Sequence, residues 1–397
     1  MVQVCKKVVN KALRFVAIVT AFPVALCIIL LYPFVRIRVG YFDARRIGHF
    51  CFDLGFYFSQ IKNEEGPRRT IDIFFLITPI SNSYLESVAR RKLNIVSQVE
   101  YVFYWIKRLP LDSMITALPQ RVHSGSRDKE GDYSNNPRPR WFSDDEKRTG
   151  DEFLNQLGIS RNDKWVCLCV RDSSYLNATF PRQGDHWSYH DYRDSQIEDY
   201  RLAARTLADQ GYKVIRMGKI VKEPFGVEHP NVIDYSGLPE RSDFLDVWLI
   251  ANCYFCISTN LGLDQIAIIF KRPLLIVNAL PLMDMPSFHQ TIFVPKHLVW
   301  REKNHHLSIR EYLAFQGRRT RDYEHNKIDI NNLHESEILE AVTEMEKRLR
   351  GVWVETVEDQ QYQQDFWAEL RSAPDFAKHH NWIHPRARIG SSFIRSL

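Results

Sequence analysis

Residues 253–278, CYFCISTNLGLDQIAIIFKRPLLIVN, constrain this chain more than any other stretch, because they spell strand, polar turn, helix and strand in that order. Tyr254 to Ile257 and Leu274 to Val277 are apolar and β-prone, while Leu263, Ile266, Ala267 and Phe270 recur at helical spacing between them. That is a βαβ unit, whose two strands are parallel. Open parallel sheets bind ligands outside the carboxyl ends of their strands. The Ser258-Thr259-Asn260-Leu261-Gly262 turn falls at that edge and opens a helix, where unpaired N–H groups and the dipole favour a phosphate. Ser, Thr and Asn are also ordinary helix caps, so capping alone is the competing account.

The same alternation runs through the rest of the chain. Strands are expected at 34–42, 70–77, 165–170, 213–218 and 232–236, with helices at 51–60, 83–92, 144–157, 244–251, 327–350 and 361–371. The segment 94–106 is mixed and receives no assignment. A chain of 397 residues has room for two domains of ordinary size. The polar, Gly- and Pro-punctuated stretch 125–146 is the natural linker between them. The whole chain's formal charge of +5 is too small to argue for nucleic acid. The seven cysteines lie mostly in apolar runs, as buried thiols of a reducing compartment do. Cys253 and Cys256 form a C-x-x-C along a strand, where their side chains point to opposite faces, which argues against a redox or zinc pair.

Residues 15–35 carry no charge and are long enough to cross a bilayer core. Lys6, Lys7, Lys11 and Arg14 precede them and Arg36, Arg38, Arg45 and Arg46 follow. With both flanks basic, a true span and a re-entrant anchor with both ends at the anionic cytoplasmic surface are equally compatible. A cleaved signal peptide fits less well, and a buried core helix is a further alternative.

Three further segments carry candidate chemistry. The first strand-to-helix loop holds Arg45, Arg46, Gly48 and His49, a residue type that accepts a proton near neutral pH. The segment 171–200 reads as a long loop at the end of a strand, with arginines at 171, 182 and 193 among acids and aromatics. Arg171 follows the strand directly, which holds a planar fork suited to a diphosphate or carboxylate. Gly218 and Lys219 end another strand on the same edge. A capping histidine at 49 and a solvated, internally ion-paired loop at 171–200 are the plainer readings.

RIGHF (46–50), VRDSSYL and HDYRDSQIEDY within 170–200, GYKVIRMG (211–218), YFCISTNLGLDQIA (254–267) and ARIGSSFI (387–394) together resemble a glycosyltransferase family encoded among bacterial surface-polysaccharide genes. The resemblance covers nearly the whole chain after the apolar segment. The carboxyl half is more distantly similar to inverting GT-B enzymes, including heptosyltransferases and fucosyltransferases, which place a nucleotide sugar against the second domain and an acceptor against the first. The turn Ser258–Gly262 stands where heptosyltransferases have an Asp-Ser-Gly turn on the donor phosphates; here Ser258 or Thr259 replaces the acid and Asp264 comes later. Arg171 falls where fucosyltransferases keep an arginine after a strand, against the diphosphate, with Asp172 and Ser173 replacing their Arg-Thr-Asp continuation. Gly48-His49 looks like the first-loop pair of several GT-B enzymes, whose second residue is the base or lies beside the acceptor.

The resemblance implies an α/β chain of two Rossmann-like, GT-B-like domains behind a membrane segment: an anchor over 1–35, an acceptor-side domain over 36–142 and a donor domain over 143–397. It implies His49, Arg171 and Arg193 as catalytic residues, and Arg171, Gly218, Lys219, Ser258, Thr259, Asn260, Gly262 and Asp264 around the donor. No metal and no cofactor are expected. The partners implied are a GDP- or UDP-linked sugar, a glycan or lipid-linked acceptor and a membrane, and the location is the cytoplasmic face of a bacterial inner membrane. A nucleotide-sugar epimerase and a non-catalytic, membrane-anchored binding protein remain open at this point.

Overall fold

The structure is a computed structural model that describes residues 2–61, 69–109, 115–117, 127–160, 162–179 and 187–396. It divides into two compact units, Met1–Ser126 and Arg127–Leu397.

The first unit opens with a helix over Val2–Leu31. Three strands follow, β1 (Arg36–Asp43), β2 (Thr70–Ile77) and β3 (Asn94–Ile95), in the order β1-β2-β3 with both pairings parallel. Helices Ile47–Ile61 and Ser83–Lys92 make the crossovers. The second is fixed at its start by Asn82, whose side chain accepts from the Leu85 N–H at 2.9 Å. Phe42, Phe50, Tyr57 and Phe74 fill the space between sheet and helix. Arg38 and Asp72 form a buried bidentate pair at 2.6 Å on both arms, and Tyr57 donates to the same carboxylate. Among the described residues this is a parallel α/β unit of three strands, smaller than the full Rossmann-like domain expected. The unassigned segment 94–106 becomes β3 and a helix, Val99–Ile106, whose sequence VEYVFYWI is apolar nearly all round and so has no readable face.

The second unit is doubly wound. Its strands are β4 (Trp165–Cys169), β5 (Lys213–Arg216), β6 (Val232–Asp234), β7 (Phe255–Ser258), β8 (Leu274–Ala279) and β9 (Thr291–Pro295). A small antiparallel sheet follows, β11-β10-β12, from β10 (His297–Trp300), β11 (His305–His306) and β12 (Ile328–Asn331). Finally β13 (Arg388–Ile389) returns to the main sheet, whose order is β13-β9-β8-β7-β4-β5-β6 with every pairing parallel. The chain therefore starts in the middle, builds outward through β5 and β6, and then crosses back to lay β7 on the other side of β4. That reversal opens a crevice at the carboxyl ends of β4 and β7.

Several expectations change. Residues 127–142 are not a linker: Tyr133 donates to the Ile269 carbonyl, Ser134 donates to the Phe288 carbonyl at 2.9 Å, and Trp141 packs edge-on against Phe270. The boundary accordingly falls after Ser126, not at 142, because aromatic side chains hidden in a polar stretch find their burial in the second unit. The loop 171–200 contains short helices at Ser174–Thr179, Trp187–Arg193 and Ile197–Tyr200, while Arg182 lies outside the described residues. The stretch 327–350 begins as β12, and its helix starts only at Glu335, where His334 and Glu337 form the cap. Two residues of the aperiodic tail, Arg388 and Ile389, form the edge strand β13.

Candidate functional site

Parallel pairing brings the carboxyl ends of five strands to one edge, so the residues just beyond them face one another whatever their separation in sequence. Beyond β4 stands Arg171; beyond β5, Gly218 and Lys219; beyond β7, Thr259 and Asn260; within the end of β8, Asn278; and beyond β9, Lys296.

The two strands at the crevice are tied by their own backbones. The Thr259 N–H donates to the Cys169 carbonyl at 3.2 Å, and the Arg171 N–H donates to Thr259 Oγ1 at 2.9 Å. This places the Arg171 guanidinium at the mouth, where its Nε donates to Asp194 Oδ1 at 3.1 Å. Arg193 ends the short helix of the following segment and donates through Nη2 to the Asn260 carbonyl. Asn260 holds φ at 60°, a left-handed conformation that asparagine tolerates better than most residues and that turns its carbonyl toward the arginine. Burial lowers the pKa of Arg171 and the neighbouring Arg193 cation lowers it further, while Asp194 acts in the opposite direction. Arg171 and Arg193 thus stand close enough for each to bear on the other's charge, and two guanidinium groups at a switch point have the chemistry that suits a doubly charged anion.

Two members of this cluster are not among the residues expected from sequence. Lys296 is 2% exposed, donates to the Asp194 carbonyl at 2.6 Å, and has its pKa pushed down to about 8, chiefly by burial. Asp194 is raised from its ordinary value, again chiefly by burial, with Arg171 opposing. The signal for Lys296 is present, since TIFVP is a short apolar run closed by Pro and followed at once by a lysine. With no strand expected over 291–295, the residue standing at its end goes unread.

The Ser258–Gly262 turn is built differently from expectation. Its helix is short, Asp264–Ile269, and the Asp264 carboxylate folds back into the turn. Oδ2 accepts from the Leu261 N–H at 2.7 Å and from Ser258 Oγ at 2.9 Å, and Oδ1 accepts from Gln265 at 2.9 Å. Ser258 and Asp264 are fully buried. They brace the turn instead of meeting a ligand, and the turn already contains its own anion. Gly262 lies in the same turn, half buried. Asp172 is a second brace, accepting from the Ser174 and Lys222 N–H groups at 2.8 and 3.0 Å. Gly218 sits at the same edge, where a Cβ would meet Val221 at 2.5 Å, and Lys219 pairs with Asp243 at 3.0 Å.

Asp264 supplies a test of this brace. Complete burial pushes its pKa up from 3.8 to about 6, with the bonds from Ser258, Gln265 and Leu261 opposing. A carboxyl whose folded pKa is raised contributes stability below its unfolded pKa and loses it as pH rises through the folded value. Asp264→Asn keeps an acceptor for Leu261 and Ser258 but cannot ionise. Its stability relative to the native chain should rise between about pH 4 and pH 6 by an amount on the order of 1–3 kcal/mol, since each tenfold change in proton affinity is worth about 1.4 kcal/mol. Parallel pH–stability curves for the two proteins would contradict this account.

In the first unit, His49 is not in a loop. The helix begins at Ile47, so Gly48 and His49 belong to its first turn, just past the carboxyl end of β1. Asp43 ends that strand and is held by Arg45 through its N–H at 3.2 Å and its Nε at 2.8 Å. Burial acts to raise the Asp43 pKa, but the bonds and charge of Arg45 and the nearby charge of His49 prevail and lower it. An imidazole beside an ionised carboxylate is the usual way to orient a general base. The structure thus brings Arg171, Arg193, Thr259 and Asn260 together, keeps Ser258 and Asp264 inside, and sets His49 in the first turn of its helix, close enough for its charge to bear on Asp43.

A wide groove lined by Asp151, Trp165, Trp248, Tyr254 and Arg272 lies at the opposite, amino-terminal edge of the main sheet. Parallel sheets do not direct their strand-end chemistry there, so the crevice at β4 and β7 is the candidate site.

No protein-family model matches the sequence, and no curated protein matches it. Solved structures do. The E. coli ADP-heptose LPS heptosyltransferase II is 13% identical with a TM-score of 0.43, over 79% of this chain and 100% of that one. A glycosyl transferase family 9 structure from Veillonella parvula is 11% identical with a TM-score of 0.44, over 66% and 86%. The S. aureus MnaA–UDP co-structure is 11% identical with a TM-score of 0.31, over 62% and 79%. At these identities and scores the likeness assigns no chemistry to individual residues of this chain.

Proposed function

We propose that the chain is a glycosyltransferase that moves a sugar from a nucleoside-diphosphate donor to a hydroxyl of a membrane-associated glycan or lipid-linked acceptor. The observation that carries this reading is the Arg171–Arg193 pair at the reversal of the seven-stranded sheet, placed there by Thr259 and Asn260. A diphosphate leaving group gains negative charge as the bond from the anomeric carbon to its oxygen breaks. Fixed cations stabilise that charge where it develops, without reorganisation at the moment of reaction. Lys296 adds a third cation behind Asp194. Within the first unit, His49 is assigned the role of general base toward the acceptor hydroxyl, whose oxygen attacks the anomeric carbon as its proton leaves. One base and one displacement give inversion at that carbon. The fixed cations are assigned the charge-neutralising role, which makes the reaction metal-independent. The apolar Val2–Leu31 helix suits an acceptor held at the cytoplasmic face of a bacterial inner membrane.

The test is thermal unfolding of the full-length chain in detergent, titrated with GDP, UDP, ADP and NAD. A ligand that binds only the folded state at 100 times its Kd adds about 2.7 kcal/mol of apparent stability. The expected result is a rise with one or more nucleoside diphosphates and none with NAD, followed by donor consumption that requires an acceptor. Conversion of the sugar nucleotide without any acceptor would indicate an epimerase. No shift with any nucleotide in the folded protein would overturn the reading.

A further inference from the structure

The apolar stretch Lys11–Leu31 has a mean hydropathy of 2.5, yet only 17% of its apolar window is buried, so it is no ordinary core helix. What is buried is a narrow stripe. Ala21, Ala25 and Ile28, at i, i+4 and i+7, share one hydrophobic cluster with Val39 of β1, Phe75 of β2 and Val102 and Ile106 of the helix Val99–Ile106. Trp105 of that helix donates its indole N–H to the Ile18 carbonyl at 2.7 Å and sets its ring edge-on against Phe22 at 5.0 Å. Tyr32 and Ile29 continue the contact. The helix is therefore packed along the folded sheet from about residue 18 to residue 32, roughly 20 Å at 1.5 Å per residue.

This packing decides between the two ways such a segment can meet a bilayer. A transbilayer helix needs about 30 Å of hydrocarbon around it. Most of that length is here occupied on one side by β1, β2 and the Val99–Ile106 helix, with the Arg38–Asp72 pair behind them and Glu100 reaching Arg14 at 3.3 Å. Loops and sheet edges exposed to lipid do not occur within the hydrocarbon region, because their backbone groups have no partner there. A span would carry all of these into it.

The other face of the helix has what an interfacial segment needs. Phe15, Val19, Leu26 and Leu30 are each 38–73% exposed, and Phe34, just after the helix, is 77% exposed. Around them stand the exposed Lys11, Arg14 and Arg108, the last lying 3.5 Å over the half-exposed Tyr104 ring. An apolar face rimmed by basic and aromatic residues matches the boundary between acyl chains and anionic headgroups. We propose that the Val2–Leu31 helix lies in the plane of a membrane containing anionic lipid, one face on the sheet and the other in the leaflet, so that the first unit is seated on one side of the bilayer. This inference rests on the first unit alone and stands or falls independently of the transfer chemistry.

The experiment uses the full-length chain with an epitope tag at each end, mixed with phosphatidylcholine vesicles that contain or lack phosphatidylglycerol. The expected result is flotation with the anionic vesicles, reduced at least several-fold on neutral ones, and loss of both tags together to externally added protease. An amino-terminal tag protected in vesicles whose carboxyl-terminal tag is cleaved would establish a span and overturn the proposal. A chain that stays in the soluble fraction with both vesicle types would overturn it as well. The double variant Val19→Lys, Leu26→Lys alters only the exposed face, so it should lose flotation while keeping the native thermal transition; full retention of flotation would also overturn the proposal.

Discussion

Arg171→Ala is expected to lower kcat/KM for the sugar-nucleotide donor by about 10²–10³-fold, the range seen when one fixed group stabilising transition-state charge is removed. The guanidinium stands at the end of β4, where its own N–H is anchored to Thr259 and its Nε to Asp194. Alanine removes the charge assigned to the diphosphate in the proposed reaction and leaves the Asp194 carboxylate without its arginine. Binding should therefore weaken more for a nucleoside diphosphate than for the nucleoside itself. Arg171→Lys restores a charge but not the planar fork, and should recover only part of the loss. Measured affinities for nucleoside, monophosphate and diphosphate separate this from general damage to the fold. A variant that loses affinity equally for all three would remove Arg171 from the diphosphate.

His49→Ala should act on a different parameter. Removing a general base typically costs about 10²–10⁴-fold in turnover. Donor affinity, which the proposed reaction assigns to the second unit, should stay near the native value. The acid limb of the kcat profile should flatten in the variant, because that limb reports protonation of the base in the native enzyme. Asp43→Asn provides the companion measurement: it keeps one acceptor for Arg45 but removes the carboxylate charge near the imidazole, so its effect should be smaller and should shift the acid limb to lower pH. Turnover of His49→Ala within a few-fold of native would exclude the histidine from proton transfer.

The parallel sheet of the second unit is legible in the sequence because its strands are continuous apolar runs, and such runs at regular spacing leave few alternatives. WVCLCV and YFCI read as strands, and the structure has buried strands over Trp165–Cys169 and Phe255–Ser258. The reversal between β4 and β7 is implied but not readable, because order in a sheet depends on which face each crossover helix covers. Arg171 can be singled out since it adjoins a strong strand. Lys296 cannot, because no strand is expected before it. The misread turn has a plain cause: Ser258 and Asp264 are residue types that contact ligands and also cap turns. Only the direction of the Asp264 side chain, back onto the Leu261 N–H, separates the two uses. Aromatics in a polar context explain the displaced domain boundary. Tyr133 and Trp141 bury themselves against residues more than a hundred positions away, which no local window can register.

The position of β4 at the centre of its sheet has a consequence for how the molecule is made. Its neighbour β7, and with it the contact between Arg171 and Thr259, comes 88 residues later. At about 5–20 residues per second on the ribosome, roughly 4–18 s separate the two. During that interval one edge of a fully apolar strand has no partner, and it is the edge that β7 later covers. The strand that carries Arg171 at its end is thus also the one most in need of shielding during synthesis. A nascent-chain chaperone should dwell longest on chains halted between the completion of β5 and the emergence of β7.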